Sequence, residues 1–99
     1  MKIEKIINDK GMIEYYFFDL EDPKHFFKID KKIRKIKELK IKVVDKVEGF
    51  SFLMKKYSIN DAEIYLYNEH MAGNFLTVKI KKDEDVLEIL VDKLRTLEI

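Results

Sequence analysis

Polar and apolar residues alternate in several short stretches of this chain and recur every three to four residues in two longer ones. Across residues 75–82, Leu76, Val78 and Ile80 alternate with Thr77, Lys79 and Lys81, as in a half-buried antiparallel strand with the apolar set inward. Residues 62–68 also alternate, with Ile64 and Leu66 on one face and Glu63, Tyr65 and Tyr67 on the other. Residues 2–7 and 12–18 flank Asn8-Asp9-Lys10-Gly11, whose Asn, Asp and Gly tolerate the left-handed backbone of a tight reversal; a β-hairpin is predicted. Its second arm, Met12 to Phe18, is apolar on both parities and reads as an interior strand covered at least in part on both faces. β-Branched residues mark 41–47 as a further strand. Residues 50–57 fit a short helix nearly as well as a strand and are assigned to a strand after a tight Glu48-Gly49 turn, with 58–61 as the next reversal.

Asp22-Pro23 marks a helix start, because Asp can cap free backbone amides and Pro suits the first helical position. A helix is predicted from Pro23 to about Leu39. Its Phe26, Ile29, Ile33 and Ile36 share one face, while Lys24, Lys28, Lys31, Lys32 and Lys35 lie nearly opposite. A second helix is predicted from near Asp83, whose acidic neighbours suit a helix N-terminus; Asp85 and Glu88 have capping-box spacing. Val86, Leu87, Leu90, Val91, Leu94 and Leu97 form its apolar face, so both helices are expected on the same sheet. The order ββαβββ(β)α implies one domain over residues 1–99. Its expected class is α+β, with a mainly antiparallel sheet of about five to six strands and two amphipathic helices.

Composition narrows the classes. The chain has 99 residues, 46% of them hydrophobic, enough for one core and unlike a disordered chain. With no cysteine, a disulfide framework and thiolate metal sites are excluded. The N-terminal stretch has charges inside its apolar run, and no segment has the roughly 18 apolar residues of a membrane span; a cytoplasmic, non-membrane protein is expected. The 20 basic and 19 acidic residues nearly balance, giving no whole-molecule field for nucleic acid. Locally they segregate: residues 24–46 hold ten basic residues against three acids, and residues 83–99 hold six acids against Lys93 and Arg95. Only two of the basic residues are Arg, the side chain suited to bidentate phosphate contacts, so the lysine excess reads partly as compositional bias.

No familiar catalytic spacing occurs. The two histidines define neither a metal nor a nucleophile site, and Gly11, Gly49 and Gly73 are isolated turn glycines. Asp19, Glu21, Asp22 and His25 cluster, but acids before a helix are what capping favours. His70, in the least regular loop with Asn68, Glu69 and Asn74, is the best single candidate for a functional histidine. The most suggestive surface carries Tyr65 and Tyr67 beside Lys79 and Lys81, rings among ammonium groups that could stack bases or anchor a protein partner, unless a helix or the termini cover it. Lys28, Lys31 and Lys35 on the first helix form a second surface, solvated or fitted to an acidic protein or a phosphate backbone.

These observations lead to an expected non-catalytic protein-binding domain, by analogy an inhibitor or immunity-type protein that neutralises a partner toxin enzyme by stoichiometric binding. No cofactor or metal is expected. The alternative is a nucleic-acid-binding module using the lysine-rich helix and the Tyr/Lys sheet face. A homodimer is open too, since an uncovered strand edge can pair with a copy of itself.

Overall fold

Asn8 organises the first reversal: its side-chain oxygen accepts hydrogen bonds from the backbone amides of Lys10 and Met12 at 2.9 and 3.0 Å, and Gly11 takes a positive φ of 76°. Strands β1 (Ile3–Ile7) and β2 (Ile13–Phe17) run antiparallel from this turn. The computed structural model describes residues 2–97, and the chain continues from β2 through α1 (Pro23–Arg34) to β3 (Lys42–Glu48), β4 (Phe52–Ile59), β5 (Ala62–Glu69), β6 (Gly73–Thr77) and α2 (Glu84–Arg95). All six strands form one antiparallel sheet in the order β1-β2-β6-β5-β4-β3. The fold is α+β, with the element order ββαββββα. Of residues 50–57, ambiguous in sequence, 52–57 lie in β4 and Phe50 and Ser51 in the turn before it; Ser58 and Ile59, expected in the reversal, extend the strand, so the turn is only Asn60-Asp61.

Side-chain alternation gives this sheet two unlike faces. Ile3, Tyr15, Phe17, Leu76, Val78, Ile64, Leu66, Tyr57 and Ile59 point to one side and form the core with Phe26, Ile29 and Ile33 of α1 and Leu87, Leu90, Val91 and Leu94 of α2. Both helices therefore cover the same face. Each fully buried Leu, Ile or Phe contributes about 1.5–3 kcal/mol, so this layer carries most of the fold's stability.

The buried layer contains one ionic cluster. Asp30 of α1 is 1% exposed and accepts hydrogen bonds from the Tyr57 hydroxyl at 2.6 Å, Lys55 Nζ at 2.7 Å and Arg34 Nε at 3.0 Å. Burial opposes its charge, but the bonds from Lys55, Tyr57 and Arg34 outweigh that and hold the carboxyl below its ordinary range. The same burial, with the bond to Asp30, pushes the Tyr57 phenol far up. This cluster locks α1 onto β4.

Several sequence expectations need correction. The first helix ends at Arg34 rather than Leu39; Ile36 leaves helical backbone and a 3-10 turn at Lys37–Leu39 follows, closed by Lys40 at φ 50°. Ile36 stays buried, so its place in the apolar pattern did not distinguish helix from turn. The Asp22 side chain makes no cap bond; its backbone carbonyl accepts from the His25 amide at 2.9 Å. The last strand is Gly73–Thr77, not 75–82. Its β2 ladder stops at Glu14–Thr77, and the Asp83 carboxylate takes the β5 Glu63 amide at 3.2 Å. Ile80, expected inward, is exposed. No side-chain cap bond forms at the start of α2 either. Glu84 accepts from the Ile13 amide at 3.1 Å, and Glu88 lies 3.2 Å from Lys5, so these acids tie α2 to the sheet.

Among the described residues, no helix is long and apolar enough to cross a membrane.

Candidate functional site

The face opposite the helices is where the odd-parity residues of β5 emerge. Tyr65 and Tyr67 stack along that strand with centroids 5.9 Å apart and planes within 6°. The register then sets Phe75 of β6 beside Tyr67 and Tyr16 of β2 beside Phe75. Their rings meet at 5.4 Å and, in a stacked pair, at 4.8 Å. Phe52 of β4 lies 5.7 Å from Tyr67, and Phe18, just beyond β2, lies 6.2 Å from Tyr16. Six rings thus form a continuous aromatic stripe across four strands. Each such pair contributes about 0.5–1.5 kcal/mol beyond the area it buries, which keeps the stripe ordered without a covering layer. Both helices lie on the other side of the sheet.

Tyr16 and Tyr67 remain neutral. Burial, then a 2.9 Å hydrogen bond to Glu14, pushes the Tyr16 phenol up to about 12, and burial raises Tyr67 as well. At the rim, Lys79 Nζ lies 4.6 Å from the Tyr65 ring centroid and Lys56 Nζ 5.8 Å from it, both within cation–π range. Lys56 also pairs with Glu63 at 2.7 Å.

The stripe runs into an open cleft of about 750 Å³ at one end of the sheet. Its walls are the loop after β2 (Phe18, Glu21, Asp22), the β3–β4 turn with the start of β4 (Phe50, Phe52, Leu53), and the β5–β6 turn (Glu69, His70, Met71). Two buried amides support it from below. Asn68 donates to the Asn74 side-chain oxygen at 2.9 Å, and Asn74 donates to the backbone carbonyls of Leu20 and Asp22 at 2.7 and 3.1 Å. The loop is thereby pinned to the β5–β6 hairpin.

Of the residues singled out from sequence, Tyr65, Tyr67 and Lys79 come together on the open face, and His70 lines the cleft at its end. Lys81 does not join them. Its ammonium donates to the Gly11 carbonyl at 2.7 Å and sits 3.7 Å from Glu84, bracing the first hairpin. Lys28 and Lys31 are exposed on α1 and Lys35 at its C-cap, on the helix side of the molecule, so the lysine helix and the tyrosine face are two surfaces. Asp19 accepts a bond from the Lys2 amide at 2.9 Å and Asp22 lies 3.8 Å from Lys24. Among the described residues, no three His, Asp or Glu side chains gather as a metal-binding group.

Sequence reading passed over Tyr16, Phe18, Phe52 and Phe75, which supply four of the six rings. Their signal was parity: Phe75 is in phase with Thr77, and Tyr16 and Phe18 alternate with the inward Tyr15 and Phe17. No protein-family model, curated protein or solved structure matches this chain.

Proposed function

We propose that this chain is a non-catalytic protein-binding domain that acts by stoichiometric association, of the kind that covers and neutralises a partner enzyme such as a toxin. The observation that supports the reading is the stripe of Tyr16, Phe18, Phe52, Tyr65, Tyr67 and Phe75 on a sheet face that no described helix covers. Tyr65 and Phe75 are buried, 7% and 5% exposed, and form a bed over which Tyr16, Phe18, Phe52 and Tyr67 stay accessible; aromatic rings held this way by a rigid sheet give contact area at low entropic cost, as at interface hot spots. Lack of cysteine fits a reducing compartment, so the proposal puts the encounter in the cytoplasm.

Lys79 and Lys56 beside Tyr65 favour a second reading, stacking of a single-stranded nucleic acid. Two facts weigh against it. Lys28, Lys31 and Lys35 belong to the helix layer, and Glu4, Glu14, Glu63 and Glu69 share the tyrosine face, where they would repel phosphates.

The test is affinity capture from the source cell with native, Tyr67→Ser and Lys31→Gln chains, each with and without nuclease, after circular dichroism has established that the variants fold. The expected result is one stoichiometric protein that survives nuclease and moderate salt, is retained by Lys31→Gln, and binds Tyr67→Ser roughly tenfold more weakly. Bound nucleic acid, or a protein held equally by Tyr67→Ser, overturns the reading.

A further inference from the structure

The cleft at the end of the stripe combines apolar tips with one sign of charge. Phe50 is fully exposed and Met71 is 95% exposed, so neither contributes to the core, and Met71 is also held at φ 68°, a left-handed backbone that is strained for a non-glycine residue. Folding gains nothing from a large apolar side chain at either position. Glu21, Asp22 and Glu69 line the same cleft, and among the described residues no Lys or Arg does, in a chain with 20 of them. Asp22 lies 3.8 Å from the exposed Lys24; Glu21 and Glu69 form no ion pair among the described residues. The remaining titratable lining residue is His70.

The cleft is built rather than incidental. Asn74, 1% exposed, fixes the Leu20 and Asp22 carbonyls, and Gly73 at φ 82° brings the β5–β6 turn against Glu21, whose Cβ would lie 3.5 Å from any Cβ added there. A preformed acidic pocket with aromatic walls complements a side chain that is cationic, planar and weakly hydrated. A guanidinium can stack on Phe18 or Phe52 while its donors reach a carboxylate, and flanking apolar residues can cover Phe50 and Met71.

We propose that this cleft receives an arginine-bearing apolar segment of the partner protein, and so forms the charged, specificity-setting end of the aromatic contact surface. The inference rests on the protein-binding reading. Phe18 and Phe52, which belong to both the stripe and the cleft, make the two one continuous surface.

The experiment titrates the 15N-labelled full chain with the peptide acetyl-Leu-Arg-Phe-Arg-Leu-amide and with counterparts carrying Gln or Glu in place of Arg. The Arg peptide is expected to shift the amides of Glu21, Ser51, Phe52, His70 and Ala72. Its affinity should fall roughly five- to tenfold in the Glu21→Gln/Glu69→Gln double variant, which removes two charges without adding bulk. It should also weaken as salt rises from about 50 to about 500 mM, where screening shortens to a few ångströms. Equal binding of the Gln peptide, shifts confined to other surfaces, or no shift with any peptide overturns the proposal. The double variant also separates the two readings: a captured partner lost with Tyr67→Ser but held fully by Glu21→Gln/Glu69→Gln sinks the cleft and leaves the face standing. Arg-selective peptide binding without a Tyr67-dependent partner does the reverse.

Discussion

The hydroxyl of Tyr57 on β4 donates a 2.6 Å hydrogen bond to Asp30 on α1, joining two residues 27 positions apart in the interior of the core. The carboxylate also holds Lys55 and Arg34, so the helix seats on the sheet through a single charged centre. Removing the anion strands the Lys55 ammonium, which is only 15% exposed. Asp30→Ala is expected to cost about 3–5 kcal/mol in urea unfolding, and Tyr57→Phe, which leaves the ion pairs, about 1.5–3 kcal/mol.

The same centre sets an acid limit on stability. Because the folded Asp30 carboxyl titrates below the unfolded value of about 3.9, its contribution is complete above that pH and is lost as pH falls through the folded value. Unfolding free energy followed from about pH 7 to about pH 2 should decline at the acid end in the native chain. In Asp30→Asn this part of the decline should vanish, from a lower plateau.

Asn74 supports the loop that walls the cleft. Its replacement by Ala leaves the Leu20 and Asp22 carbonyls and the Asn68 amide short of partners, at an expected cost of about 1–3 kcal/mol in a thermal melt. Hydrogen exchange should accelerate locally, at residues 18–22 and 68–74, before the core is affected.

Two turns provide a matched pair of glycine substitutions. Asn60 and Asp61 form the two-residue loop between β4 and β5, both at positive φ (49° and 68°), the backbone of a type I′ hairpin that prefers Asn-Gly. Asp61→Gly is expected to raise stability by about 0.5–1 kcal/mol, and so is Met71→Gly, which relieves the same strain. The two should differ in binding. Only Met71→Gly removes a rim of the cleft, so only it should weaken the Arg peptide in the titration above.

β3 is a free edge, exposed along its whole length, and carries Val43, Val44 and Val47. Lys42, Asp45, Lys46 and Glu48, with a bulge between Val43 and Asp45, oppose pairing with another strand. Asp45→Thr/Lys46→Val is expected to associate with rising concentration in analytical ultracentrifugation. The comparison with the native chain reads how far these charges hold the edge apart.

Much of this architecture was legible in local chemistry. Asn8 to Gly11 announced the first hairpin, and the alternation of Ile64 and Leu66 with Tyr65 and Tyr67 gave β5 and its faces. The failures have physical causes. Residues 51–57 looked ambiguous because Lys55 occupies an inward position among Leu53, Tyr57 and Ile59, and only its pairing with Asp30, far away in sequence, makes an inward lysine sensible. Helix α1 ends without a glycine; Lys35 caps it in right-handed backbone, and the left-handed residue, Lys40, comes only after the 3-10 turn, leaving no compositional stop signal at Arg34. Which face of the sheet the helices cover is a tertiary fact, and so the lysines of α1 and the tyrosines of β5 could not be placed on opposite sides from their spacing. Asn68 and Asn74 read as polar loop residues, although their facing positions on β5 and β6 make them a buried pair.

The strand order also has a temporal consequence. Strands β3 to β6 pair with sequence neighbours, whereas β2 must join β6 across about 60 residues, from Glu14 to Thr77, a closure whose entropy is recovered only once both segments are in place. Tyr16 is therefore expected to meet Phe75 late in folding. A meander formed first would present a stripe still missing Tyr16 and Phe18, and a cleft without its third wall, so a partner that needs the full surface would discriminate against chains that have not finished folding.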